Sequence, residues 1–262
     1  MRVQVGDMKI NYELSGNENG PVVMLSHSLG SSSIMWEPQL AVLESRFRLL
    51  RFDTRGQGKS HAPQGAYTLE QLAGDAIALL DHLEIDKVHF VGLSMGGMIA
   101  QCLALNHADR LLSMALCDTA AIIPDEAQPI WQERIDEARS KGMSALVEGT
   151  MQRWFTGPYL SQASPAVQTI RTQFLNTPVE GFIGCSEAIR RLNYLGELTT
   201  VELPVLIIVG EEDPGTPVAA AEAMHARIAG SKLVVIPSAA HLSNIEQAQA
   251  FNRALLDFLN PL

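Results

Sequence analysis

Three cysteines, Cys102, Cys117 and Cys185, are all that 262 residues offer. An odd, widely spaced set excludes a disulfide framework and has no zinc-ligand spacing, so core filling in a reducing cytoplasm is the expectation for them. Basic charge is also scarce. Nineteen Lys and Arg against 29 Asp and Glu leave a formal charge of −10, which argues against nucleic acid or an anionic membrane as partner. Long apolar runs are missing: no stretch reaches the length of a membrane span. The opening "MRVQVGDMKINYELSG" has no basic region leading into an apolar one, so no secretory leader is expected. Internal repeats, low-complexity tracts and long flexible linkers are likewise lacking. What is present is a chain long enough for one large domain with a sizeable core.

Short apolar runs alternate with helical periods along it. "PVVMLSHS", "FRLLRFD", "KVHFVG", "LLSMALCD", "PVLIIVG" and "KLVVIPS" read as buried parallel strands, and the alternating "MKINYELSG" as an exposed antiparallel one. Segments such as "TLEQLAGDAIALLDHLEI" carry apolar residues at helical spacing, with Thr68 placed as an N-terminal cap. This alternation predicts a mostly parallel central sheet with helices on both faces. From Ile122 to Leu198 the pattern changes. No strand-like run occurs there, and "QPIWQERIDEARSKGM", "SALVEGTMQRWF", "SPAVQTIRTQFLNT" and "VEGFIGCSEAIRRLNYL" read as four helices. The expected organisation is a core of residues 1–121 and 199–262, interrupted by a helical cap of residues 122–198.

One junction has the composition of a reactive site. In "KVHFVGLSMGGMIAQ" the period switches from strand to helix within Gly92-Leu93-Ser94-Met95-Gly96. A serine at such a turn is held up on strained backbone with its hydroxyl exposed, and flanking glycines leave room for the neighbouring helix and strand. A lone hydroxyl is a poor nucleophile, so a base and an acid are needed. Open α/β sheets gather ligands beyond the carboxyl ends of their strands. Two such ends supply candidates: the cluster Glu211, Glu212 and Asp213 after "LPVLIIVG", and His241 after "KLVVIPSAA". Asp118, after an earlier strand, is a rival acid. The amides of Leu29 and Met95 are candidates for an oxyanion hole, which needs backbone donors rather than particular side chains. His27, ending the strand "VVMLSH", adjoins that hole. The other histidines fall in helical stretches, within a strand, or after a glycine-rich loop.

The order nucleophile, acid, base, together with these stretches, resembles the α/β-hydrolases, and more narrowly the bacterial 3-oxoadipate enol-lactonases. The likeness rests on "SLGSSSIMWEPQL", "FRLLRFDTRGQGKS", "YTLEQLAGD", "FVGLSMGGMIAQ", "ALCDTA", "RWFT", "CSEAIR" and "AAHLSNIEQAQAF". The serine turn and "DTRGQGKS" are shared by many hydrolases, whereas "RWFT" and "HLSNIE" are more particular to the lactonases. The resemblance implies an α/β-hydrolase fold with a helical cap, Ser94 as nucleophile, Asp213 as acid, His241 as base, and Leu29 with Met95 as oxyanion donors. It implies no metal and no organic cofactor. Two positions depart from the family, which usually has asparagine where His27 and Asp118 stand.

The function so implied is opening of 3-oxoadipate enol-lactone to 3-oxoadipate through an acyl-enzyme, with a small-molecule lactone or ester as partner. Alternatives are a carboxylesterase for small neutral esters, a hydrolase of ring-cleavage products, and a ligand-binding receptor on the same fold. An anionic substrate needs positive or donor groups in its pocket. Of the cap arginines Arg134, Arg139, Arg153, Arg171, Arg190 and Arg191, most read as solvated helix faces, with Arg153 and Arg190 standing out. Trp154 in "RWFT" is the aromatic expected at the acyl pocket, among Trp131, Phe155 and Phe182, and His27 with Ser28 are expected to offer donors on the opposite wall. Oligomeric state is left open.

Overall fold

In the computed structural model, which describes residues 1–260, eight strands form one sheet in the order β1-β2-β4-β3-β5-β6-β7-β8. The elements run β1 (Arg2–Val5), β2 (Met8–Gly16), β3 (Val22–Ser26), α1 (Glu37–Leu43), β4 (Arg48–Phe52), α2 (Leu69–His82), β5 (Val88–Leu93), α3 (Met95–Asn106) and β6 (Leu111–Cys117). Five helices follow: α4 (Gln128–Lys141), α5 (Met143–Trp154), α6 (Gly157–Ser161), α7 (Pro165–Leu175) and α8 (Val179–Ile189). The chain then returns to β7 (Val205–Gly210), α9 (Val218–His225), β8 (Lys232–Ile236), α10 (Ser243–Glu246) and α11 (Ala248–Leu259). β2 pairs antiparallel with both β1 and β4, and all pairings from β4 through β8 are parallel.

The mostly parallel sheet with helices on both faces is the fold expected, and its local causes are visible. β5 is central and buried at every residue, which is why it reads as a continuous apolar run. α2 begins with a reciprocal cap: Gln71 N–H donates to the Thr68 hydroxyl at 3.2 Å and Thr68 N–H to Gln71 Oε1 at 3.0 Å. Its Leu69, Leu72, Ala73, Ala76, Leu79 and Leu80 recur at helical spacing and are buried. α2 packs with α3, and α1 with α11, giving the two helical layers.

Three details differ from the sequence reading. β1 adds an edge strand of 4 residues, and α6 adds a fifth helix of 5 residues between β6 and β7, both too short to show a period. The last of these helices stops at Ile189 rather than running on to Leu195. Its continuation turns back against the segment that follows β6, where Ile122 bridges Asn193, Tyr194 N–H donates to Ala121 O at 2.7 Å and Ile123 N–H to Leu192 O at 3.0 Å. Among the described residues no helix is long and apolar enough to cross a membrane. The three cysteines are free and buried.

Candidate active site

Ser94 lies between β5 and α3 with φ 56° and ψ −115°, a left-handed conformation that a non-glycine residue holds only when its surroundings fix it. They do. Ser94 N–H donates to Cys117 O at 2.8 Å, extending the β5–β6 ladder. Its carbonyl accepts the Thr119 hydroxyl at 2.7 Å and the Gly97 and Met98 amides of α3 at 2.9 and 3.1 Å. A side chain at Gly92 would collide with the backbone of Gly96, and one at Gly96 with the carbonyl of Ser26 on β3. The two glycines therefore let helix and strand close around the serine.

Beyond β7 and β8, the structure joins Asp213 to His241. His241 Nδ1–H donates to Asp213 Oδ2 at 2.7 Å, which leaves Nε2 free of a proton in the neutral ring. Asp213 also accepts the Thr216 hydroxyl at 2.6 Å, the Thr216 amide at 3.0 Å and the Gly215 amide at 2.8 Å. Burial alone would raise its pKa, but the His241 charge and these bonds outweigh burial and hold the carboxyl below its usual range. For His241 burial works downward. Asp213 overrides it, with Asp118 adding and Arg134 opposing, and the imidazole stands above its ordinary value.

Asp118 takes a different part. It is fully buried, and its carboxyl accepts the Gly210 amide at 2.7 Å and meets the Ser243 hydroxyl at 2.5 Å. Burial, then the charge of Asp213, push its pKa well above the carboxylate range. It ties the end of β7 to the turn after His241, and its hydrogen bonds do not include the imidazole. Glu211 turns to the surface, accepting the Ser238 amide at 3.4 Å.

Ser94 and His241 line one cavity of about 490 Å³, together with Ser28, Leu29, Arg153 and Trp154. The amides of Leu29 and Met95 donate to no acceptor among the described residues, the condition an oxyanion would exploit. His27 requires a correction. It is buried outside the cavity lining. Thr54 N–H donates to its Nε2 at 3.0 Å and its Nδ1–H donates to Ser28 O at 2.8 Å. Both nitrogens are used, the ring is neutral, and burial lowers its pKa, so it pins β3 to β4 and offers no donor to a ligand. Arg190 is also spent elsewhere, donating to Gln128 at 3.0 Å and Gln132 at 2.7 Å across α8 and α4.

Arg134 is the residue the sequence reading passed over. It lines the cavity from α4, its guanidinium 4.7 Å from the Trp131 ring centre and 5.7 Å from that of Phe182. Its Nε is buried without an acceptor. Neither Arg134 nor Arg153 has a carboxylate partner among the described residues. Burial and then the charge of Arg153 draw the Arg134 pKa down to about 9. Trp154 packs edge-on to Phe174 at 5.7 Å while facing the cavity, and Trp131 also lines it, whereas Phe155 and Phe182 are core. No cluster of three or more His, Cys, Asp or Glu able to hold a metal occurs among the described residues.

An open, mostly parallel sheet with a serine on a strained turn at the end of a central strand defines an α/β hydrolase. The chain belongs to that family: the family described as alpha/beta hydrolase fold matches residues 21–248. More narrowly, it is similar to 3-oxoadipate enol-lactonase 2 of Acinetobacter baylyi, 36% identical over 249 residues that cover 95% of this chain and 92% of that one. Among solved structures, the enol-lactonase from Burkholderia xenovorans superposes with a TM-score of 0.96 at 40% identity, covering 99% of this chain and 100% of that one. A thermophilic esterase from Thermogutta terrifontis superposes at 0.94 and 30% identity over 100% of this chain and 98% of that one.

Proposed function

We propose that the protein hydrolyses 3-oxoadipate enol-lactone to 3-oxoadipate, with Ser94, His241 and Asp213 as nucleophile, base and acid. The observation that carries this reading is one cavity in which a hydroxyl and a basic imidazole face two arginines that lack acidic partners. An enol-lactone bearing an acetate side chain needs both halves: a nucleophile for the ester carbonyl and a cation for the carboxylate. Residues 122–198 act as the cap that brings Arg134, Arg153 and Trp154 over the serine.

His241 Nε2 takes the Ser94 proton as the oxygen attacks the lactone carbonyl, and Asp213 stabilises the imidazolium that forms. The carbonyl oxygen, now negative, rests on the Leu29 and Met95 amides. Collapse breaks the ring C–O bond and the enol oxygen leaves with the proton from His241, after which the enol becomes a ketone. Water then gives a proton to His241 as its oxygen attacks the acyl-enzyme, His241 returns that proton to the departing Ser94 oxygen, and the freed carboxylic acid loses its own proton to solvent. Reaction at the serine uses no group beyond these side chains and amides.

A carboxylesterase acting on small neutral esters is the second reading, favoured by the apolar part of the wall, Met98, Ile122, Ile123 and Ile189. Comparing kcat/KM on the enol-lactone, on a short-chain 4-nitrophenyl ester and on a ring-cleavage dienoate separates the possibilities. The lactone is expected to be fastest. A faster neutral ester would hand the assignment to the esterase, and a faster dienoate to a carbon–carbon hydrolase.

A further inference from the structure

The two stretches "RWFT" and "HLSNIE" meet in the structure, although Thr156 and Glu246 are 90 residues apart. Glu246 is buried, and donors from two separate loops fill its carboxylate. Its Oε1 accepts the Thr156 amide at 3.1 Å and the Thr156 hydroxyl, while Oε2 accepts the Ala240 amide at 3.0 Å. Beside this, Leu242 N–H donates to Trp154 O at 3.0 Å. Ala240 and Leu242 flank His241. The amides on either side of the imidazole are thus fastened to the C-terminal end of α5, one through Glu246 and Thr156 just beyond it and one directly to Trp154, and the last turn of that helix carries Arg153 and Trp154 of the cavity wall.

We propose that Glu246 is a positioning residue that sets His241 in register with the substrate-recognising wall of the cap, so that preference for anionic over neutral acyl groups depends on it. The proposal rests on the reading of that wall given above. A productive complex must place a carboxylate on the arginines and a carbonyl beside Ser94 and His241 at once, and errors well below the size of an atom degrade such a match. A buried carboxylate with charge-assisted hydrogen bonds to both loops resists that displacement. Its neutral amide analogue would turn donors against the Thr156 or Ala240 N–H and loosen one side.

The test measures kcat/KM on 4-nitrophenyl hydrogen succinate, which is anionic, and on 4-nitrophenyl butyrate, which is neutral, with melting temperatures alongside. The proteins are wild type, Glu246→Gln, Thr156→Val, their double variant and Thr156→Ser. Each of the first two substitutions is expected to lower the anionic-to-neutral ratio about threefold to tenfold, and the double variant to fall no further than the worse single one, because both undo the same clamp. Thr156→Ser keeps the hydroxyl and should keep the ratio. Thr156→Val, which removes a hydroxyl and conserves shape, reads the same quantity if Glu246→Gln does not fold. An unchanged ratio with a lowered melting temperature would make the contact merely structural and overturn the proposal, as would losses that multiply in the double variant. Wild-type protein that cleaves both esters but not the enol-lactone would sink the lactonase reading while leaving this ratio measurable.

Discussion

Replacing Arg134 by methionine tests recognition at the point where the structure is most lopsided. In the free protein this guanidinium sits over the Trp131 ring at 4.7 Å, its Nε buried without an acceptor, next to a second cation at Arg153. The charge is held in a place that disfavours it, a cost that a bound anion would relieve. A hydrogen bond to a charged partner contributes about 1.5–3 kcal/mol, so Arg134→Met should lower kcat/KM on the enol-lactone by about 10- to 150-fold. On 4-nitrophenyl butyrate the change should stay within about threefold, because no carboxylate is present to lose its partner. Stability should move the other way: methionine removes an unpaired, desolvated charge and packs on Trp131 and Phe182, so the melting temperature should hold or rise. Steady-state kinetics on both substrates and a thermal melt suffice. Equal losses on lactone and ester, or an unchanged lactone rate, would refute the assignment of Arg134 to the substrate carboxylate.

Ser94→Ala and His241→Ala should each lower kcat by about four to six orders of magnitude, and the double variant should be little worse, because the groups act as a unit; full activity in Ser94→Ala would remove the serine from the chemistry. Asp213→Asn should lower kcat by about 10⁴-fold and move the acid limb of the kcat/KM profile to lower pH, since Asp213 is what raises His241 against burial. Asp118→Asn should stay within about threefold, because the amide oxygen still accepts from Gly210 and the amide nitrogen can donate to the Ser243 oxygen where the carboxyl now accepts from it; the reverse ranking would move the acid to the end of β6. His27 has a folded-state pKa below its ordinary 6.5, so the unfolded chain takes up its proton first, and stability present above about pH 6.5 is lost as pH falls. Thermal melts at pH 7.5 and 5.5 should therefore differ more for wild type than for His27→Gln, with His89 and Asp118 common to both proteins. Equal differences would show that His27 is protonated as easily when folded.

The sheet was legible because burial on both faces writes strands as continuous apolar runs, and the run at Val88–Leu93 is buried throughout. The serine turn was legible for a steric reason: Gly92 and Gly96 stand where a side chain would strike backbone. Strand ends brought Asp213 and His241 forward as candidates, and the structure sets them 2.7 Å apart. His27 was misread because adjacency to the Leu29 loop says nothing about direction. At the end of β3 its ring turns toward the Thr54 amide, and Ser28 and Leu29 face the cavity instead. Arg134 left a signal that went unread. It follows Trp131 by three residues and falls on the face of α4 that buries Ile135 and Ala138, a position where an arginine is not simply solvated. In a helix so rich in charge, that narrow apolar stripe is easily lost. The clamp between Thr156 and Glu246 had no local signal, since only tertiary structure joins residues so far apart.

Three carboxyl groups surround the imidazole of His241 or the turn that carries it, and surroundings rather than residue type decide what each does. Asp213 accepts four hydrogen bonds and stays charged against Nδ1. Asp118, without exposure and repelled by Asp213, has its pKa pushed up and ties Gly210 to Ser243 instead of meeting the imidazole. Were both ionised, two like charges would share one buried site beside a single cation, and the second would add repulsion without a second proton to stabilise. Glu246 is buried too, yet it faces only N–H and O–H donors. Its charge can therefore act as a fastening at a distance from the reacting atoms. Opposite these stands Arg134, whose charge opposes protonation of His241. Under the proposed function, a substrate carboxylate that pairs with Arg134 would weaken this opposition as the lactone carbonyl reaches Ser94. On that reading, recognition and basicity would be linked through the charge of Arg134, and the link would require the proposed cap wall and the base to keep a fixed register.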